Sequence, residues 1–240
     1  IYLGFVHVKN LDHTVAVKLT EIREKHGKFN DLTDFINKMY IGIEQLKILI
    51  RTGAFRCTGK SKQALLWEAH FYMKNKKKTA RPLTLFEEQA KKIELPPLAH
   101  HTLEDAYDEI ELFGFPVSLT EFDMLETKFR GNVYADKLLK YTGKKIRILG
   151  NLVTVKNVRT VKKDMMCFGC FLDVKGQFFD TVHFSKTLKN YPFAGYGVYL
   201  ILGKVVEEFG LPGIEVEKMA RLPIKPDPRF AEKRKTNIKN

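Results

Sequence analysis

Cysteine and tryptophan are scarce in this chain: three of the former and one of the latter in 240 residues. Three thiols make no disulfide framework. No apolar run approaches the ~20 residues needed to cross a bilayer, and no secretory leader opens the chain. The cytoplasm is therefore the expected compartment, with no membrane partner. No Gly-rich phosphate loop, nucleophile elbow or Ser/His/Asp pattern is present, so neither a catalytic site nor a cofactor is expected in this sequence. Acidic residues are in deficit, 28 against 41 Lys plus Arg, for a formal charge of +13. That surplus favours a polyanionic partner, nucleic acid first. With 44% hydrophobic residues the chain can bury two small cores more readily than one large one. It opens at Ile1 in mid-pattern, and is expected to be a piece of something longer.

Apolar periodicity predicts short helices in the first half. Val15, Leu19 and Ile22 recur at helical spacing behind a cap at Asp12 or Thr14, and Gly27 ends the run. Asp31 opens a second helix through Phe35 and Ile36. A third places Ile43, Leu46 and Ile50 on one face up to Gly53. A fourth, after Gly59, aligns Leu65, Ala69 and Tyr72 and runs into Lys74-Asn75-Lys76-Lys77-Lys78. Pro82, Pro96 and Pro97 then mark a linker. Thr102 caps an acidic helix through Glu111, ended by Gly114 and Pro116, and a further helix is expected from about Thr120 to Lys128. The acidic set Glu104, Asp105, Asp108, Glu109 and Glu111 reads as a solvated face.

From Lys144 the period changes. Ile146 to Gly150 begins a long strand, with Gly150 permitting the coil that a small barrel needs. Met166 to Val174 and Gln177 to Phe184 form a hairpin around Lys175-Gly176. Ser185 to Asn190 suits a short helix; Val198 to Leu202 and Gly213 to Ala220 supply the last strands. This order of strands and helix is that of an OB-fold. The expected fold is α+β, an all-helical helix-hairpin-helix domain over 1–80, a linker with connecting helices over 81–143, a five-stranded OB-fold barrel over 144–222, and a basic disordered tail over 223–240.

Two constellations point to nucleic acid. In Val8-Lys9-Asn10-Leu11-Asp12 the turn of a helix-hairpin-helix would bring backbone N–H groups to a phosphate at a helix N-terminus. Asn10 and Asp12 stand where such turns usually have glycine; both tolerate a left-handed backbone, although Asp12 adds negative charge. Lys9, Asn10, His13 and Lys18 are the candidate contacts. On the barrel, the loop between the first two strands is Arg159-Thr160-Val161-Lys162-Lys163, preceded by Lys156. The second and third strands offer Phe168, Phe171, Phe178, Phe179, His183 and Phe184. Bases stack on exposed rings for ~1–3 kcal/mol each. About half of these side chains must face inward, so roughly two of the set are expected at the surface. The candidate contacts are Lys156, Arg159, Lys162, Lys163, Phe168, Phe179 and His183. Cys167 and Cys170, three apart on a strand, point to opposite faces and form no metal site. Tandem His100-His101 reads as solvated loop. Leu83-Thr84-Leu85-Phe86 is an apolar tetrad in a polar linker, suited either to plug a partner's pocket or to begin a packing helix.

These residues together resemble the C-terminal region of the bacterial DNA polymerase III alpha subunit, the C-family replicative polymerase, from about Tyr2 to Arg221. The likeness runs through Leu3 to Lys9, Ile22 to Phe29 with Leu32 to Phe35, Leu49-Ile50-Arg51-Thr52-Gly53-Ala54-Phe55, Glu111 to Ser118, Arg159 to Met166, and Leu172 to Gly176. The resemblance implies a non-catalytic part of a nucleotidyltransferase. Its partners would be single-stranded template, primer–template duplex and other replisome subunits. Leu83, Thr84, Leu85 and Phe86 fall where the family carries its sliding-clamp peptide, with Pro82 in place of the expected glutamine. The alternatives are an OB-fold module for RNA or tRNA, and a protein-interaction scaffold.

Overall fold

The computed structural model describes residues 3–78, 101–159 and 164–230. The chain divides into two compact units, one comprising Ile1–Ser118 with Asp227–Asn240, the other Leu119–Pro226.

In the helical unit, Phe5–His7 makes a single 3-10 turn and is followed by α1 (His13–His26), α2 (Leu32–Lys38), α3 (Ile43–Arg51), α4 (Lys62–Lys78) and α5 (Thr102–Phe113). Aspartates start the first two helices as short acceptors beside free amides. Asp12 accepts from Thr14 N, and Asp31 from Asp34 N. Leu19, Leu32, Phe35, Leu46, Leu49, Ile50, Leu65 and Ala69 meet in one buried cluster. Phe35 is its centre, edge-on to Phe29 at 4.8 Å and to Phe55 at 5.0 Å.

Helix α5 departs from the solvated acidic face expected of it. Its acids meet cations of the preceding helices. Arg51 donates from Nε and Nη2 to Asp108 at 2.9 and 2.8 Å and also pairs with Glu111. Lys62 lies 2.8 Å from Asp105, and Gln63 Nε2 donates to Glu104 at 2.9 Å. Glu109 is completely buried. One of its oxygens accepts from Arg56 at 2.9 Å, and the other accepts from Val117 N, Ser118 N and Ser118 Oγ at 2.7, 2.7 and 2.9 Å. A buried carboxylate is tolerable only with such a full set of donors. Charge on a helix face thus gave the wrong reading, because the partners are some 40–60 residues away. Arg229 joins the same cluster, 2.8 Å from Asp108.

In the second unit, β1 (Lys145–Arg159), β2 (Met165–Leu172), β3 (Phe178–His183), β4 (Val198–Glu208) and β5 (Leu211–Arg221) close a barrel in the order β1-β2-β3-β5-β4. Helix α6 (Ser185–Asn190) lies between β3 and β4 in sequence. Strands β3 and β5 pair in parallel, and the other pairings are antiparallel. Ile146, Ile148, Phe171, Phe179, Tyr199, Ile201, Ile214 and Val216 fill the interior. Phe171 and Phe179 stack at 5.6 Å, and Gly150 makes room for them. A Cβ there would stand 2.6 Å from Phe179 Cζ and 2.8 Å from Phe171 Cβ. Buried Asp173 accepts from Lys175 N, Gln177 N and Ala135 N, tying the β2–β3 turn to the 3-10 helix Ala135–Tyr141.

Three further expectations differ from the structure. Residues 120–128 form a turn in place of a helix. Asp123 accepts from Thr120 N and Oγ1 at 3.0 and 2.6 Å, while Phe122 and Leu125 are buried against Leu149 and Val198. The residues after Pro223, expected to be disordered, are described as far as Phe230. Ile224 bridges Leu125, and Arg229 is held by Asp227 and Asp108. The segment expected as a connector divides likewise, since 101–118 packs within the helical unit and 119–143 within the barrel unit.

Candidate nucleic-acid interface

The turn before α1 is left-handed at Asn10, φ 62°. Asparagine visits this region at small cost. Asp12 is extended, φ −66° and ψ 130°, and caps α1. Gln45, from the first turn of α3, braces the turn at two points. Its Oε1 accepts from Asp12 N at 2.8 Å and its Nε2 donates to Asn10 O at 3.1 Å. Nothing local in the sequence points to Gln45, which lies 35 residues beyond Asn10. Lys9 N donates to Leu112 O at 2.8 Å. The Lys9 ammonium stands 3.6 Å from where a Cβ of Gly114 would be, over the C-terminal turn of α5, where the helix dipole favours a cation. Lys9, Asn10, His13 and Lys18 are all exposed. The amide at the α1 N-terminus that would face an anion is taken by the Asp12 carboxylate, 3.1 Å from Thr14 N.

On the barrel, register decides which side chains face outward. Lys156 of β1 is paired with Phe168 of β2, and Phe168 with Val182 of β3. The neighbouring row is Thr154, Cys170 and Asp180, and beyond it Leu172 pairs with Phe178. Phe168 is 40% exposed and Phe178 66%; Phe184 and Met165 are also at the surface. Lys156 and Arg159 are exposed along the outer stretch of β1. This gives a cation in line with an open ring, and further apolar side chains beside it.

Phe179 and His183, expected to contact a strand, are instead core residues, 4% and 0% exposed. They share the inward parity of Thr181, opposite Phe171 and Cys167. Thr181 Oγ1 donates to Gly169 O at 3.0 Å and lies 2.8 Å from His183 Nε2. Its one hydroxyl proton is thereby committed, so Nε2 carries the imidazole hydrogen and donates to it. His183 Nδ1 is buried without a hydrogen-bond partner. Burial pushes the His183 pKa down to about 4, so at neutral pH the ring is uncharged core. Phe178 and Phe184 take the surface positions in its place. Of the remaining candidates, Lys162 and Lys163 lie outside the described residues, as do Leu83, Thr84, Leu85 and Phe86. Cys167 faces inward and Cys170 outward, and among the described residues no group of three or more His, Cys, Asp or Glu could hold a metal ion. His101 caps α5 through Nδ1, which accepts from Leu103 N at 3.1 Å.

With a braced left-handed turn leading into α1, the N-terminal geometry can be set beside known families. The family described as helix-hairpin-helix motif matches residues 1–65. The helical unit carries a helix-hairpin-helix motif. Followed by the closed barrel, this motif gives the chain the domain order of the polymerase C-terminal region that its sequence resembles. A stretch of 69 residues is 32% identical to an error-prone DNA polymerase of Mycolicibacterium paratuberculosis (strain ATCC BAA-968 / K-10), covering 29% of this chain and 6% of that protein. The chain thus spans a small fraction of that relative's length. Among solved structures, the single-stranded DNA binding protein from Thermus aquaticus aligns with 34% of this chain and 41% of its own, at 14% identity and a TM-score of 0.32. The second OB-fold domain of replication protein A from Methanococcus maripaludis aligns with 35% of this chain and 90% of its own, at 11% identity and a TM-score of 0.27. The OB-fold assignment of the barrel rests on its strand order, its closure and the helix between β3 and β4.

Proposed function

We propose that this chain is a non-catalytic, DNA-binding portion of a polymerase of the C family, and that its barrel holds single-stranded template. The observation that carries this is the row Lys156–Phe168–Val182, flanked by exposed Phe178 and Phe184, on the outer face of β1–β2–β3. OB-folds bind single strands on this face, combining phosphate cations with stacking rings. The helix-hairpin-helix motif supports a second contact, to duplex, through exposed His13 and Lys18 at the start of α1. Asp12 lowers the anion affinity of that helix end, so the barrel is the stronger of the two contacts. The apolar tetrad Leu83 to Phe86 is assigned to a sliding clamp, where weak tethering acts by raising effective concentration. Other replisome subunits are the remaining proposed partners, in the cytoplasm.

The test is fluorescence anisotropy of a labelled single strand with the full chain. Lys156→Glu, Arg159→Glu and Phe168→Ala together should weaken binding about ten-fold or more. They should also flatten the slope of log affinity against log salt by about 1–2. A correctly folded triple variant that binds as tightly as the parent would overturn the barrel reading. Stronger binding to RNA of the same sequence would favour an RNA module, and no salt-dependent affinity for any oligonucleotide would leave a protein scaffold.

A further inference from the structure

A second surface with rings and a cation lies on the helical unit, and Gln45, which braces the Asn10 turn, stands at its edge. Trp67, His70, Phe71 and Lys74 of α4 are spaced i, i+3, i+4 and i+7 and so share one side of the helix. Gly42, Ile43, Glu44 and Gln45, at the start of α3, line the other wall of an open cleft of about 1080 Å³. Trp67 is 60% exposed, although an indole buried in a core of this kind would contribute substantially to stability. Lys74, exposed at the C-terminal side of this face, supplies the cleft with a cation. The cleft's one carboxylate, Glu44, is paired with Lys47 on its own helix at 2.9 Å, so it does not oppose an anion with a full charge.

We propose that this cleft binds a single-stranded nucleic acid, with a base stacked on the Trp67 indole and phosphates following α4 toward Lys74. An open apolar groove with a lysine at one end matches a strand whose bases are free to turn outward. A duplex keeps its bases stacked on one another and has none to offer Trp67. All of its lining residues belong to the helical unit.

Trp67 is the chain's single tryptophan, so its emission reports the cleft directly. The full chain carrying Lys156→Glu and Phe168→Ala, which disables the barrel face, is titrated with an oligothymidine of roughly fifteen nucleotides. An abasic strand of equal length and an acidic, aromatic peptide serve as the other probes. The proposal expects saturable quenching by oligothymidine, little quenching by the abasic strand, and an affinity lowered about five-fold or more by Lys74→Glu. In a parallel anisotropy titration, Trp67→Leu should lower affinity by a similar factor while circular dichroism stays unchanged. No quenching by oligothymidine, equal quenching by the abasic strand, or tighter binding of the peptide would each overturn it, the last in favour of a protein partner. Failure here with the parent chain's barrel-dependent binding intact leaves the barrel reading standing, and the reverse result leaves the cleft standing.

Discussion

His183 offers the sharpest test of the barrel's interior. Its ring is fully buried, donates from Nε2 to Thr181, leaves Nδ1 unpaired and packs 4.7 Å from Phe193. Its pKa falls from 6.5 to about 4 because burial penalises the charged ring. The sign follows from linkage. Between these two values the unfolded chain binds the proton and the folded barrel does not, so stability is complete above pH 6.5 and drains away as pH falls toward 4. One pKa unit is worth about 1.4 kcal/mol, so the loss is on the order of 3 kcal/mol across that window. Removing the titrating group by His183→Leu should lower stability at neutral pH through lost packing and the lost bond to Thr181, yet abolish the part of its pH dependence that His183 supplies.

The assay is thermal or urea unfolding of parent and variant from pH 7.5 to 4.5, followed by the β-sheet signal in circular dichroism. The difference between the two curves cancels carboxylates common to both. In parallel, the His183 ring signal in NMR should stay unshifted until pH approaches 4. A His183 ring that titrates near 6.5 in the folded protein, or parent and variant curves that run parallel over the whole range, would refute the buried neutral imidazole.

Two further outcomes are expected. Glu109→Ala should destabilise the helical unit by about 2–4 kcal/mol in urea unfolding, because two amides and a hydroxyl lose a charged acceptor in a buried site; the Arg56 side chain, 59% exposed, limits the cost by turning to water. Leu85→Ala with Phe86→Ala should reduce capture by a sliding clamp in a surface-binding assay while single-strand affinity is retained, and unchanged clamp capture would remove the tetrad from the proposal.

Much of the fold is readable in the sequence because local signals and burial agree. Asp12 and Asp31 stand before the helices they cap, and Leu19, Leu46, Ile50, Leu65 and Ala69 fall inward as their spacing requires. Gly150 marks the coil of the barrel because two phenylalanines occupy the space its Cβ would need. The candidate surface was harder to read. Phe178 and Phe179 are adjacent, and alternation alone does not say which of them faces out; pairing of Phe179 with Phe171 settles it. His183 follows the same parity, so one error of phase carried both residues to the wrong side. The acids of α5 misled for a different reason. Their partners Arg51, Arg56, Lys62 and Arg229 come from distant segments, and no periodicity within one helix encodes them. The turn at 120–128 shows tertiary pairing outvoting a local helix signal, since Thr120 and Asp123 bond reciprocally as a helix start would, yet Glu126 N donates to Pro223 O and Lys225 N to Met124 O.

The bracing of the Asn10 turn by Gln45 has a consequence for how such hairpins are found and used. Because a remote amide holds both the carbonyl on one side of Leu11 and the N–H on the other, the loop's shape is a property of the assembled helices and not of its five residues. A peptide spanning only Val8 to Asp12 would not keep it. Scanning for glycine pairs would pass over any hairpin built this way, and transplanting one into another scaffold would require carrying the first turn of α3 along with it.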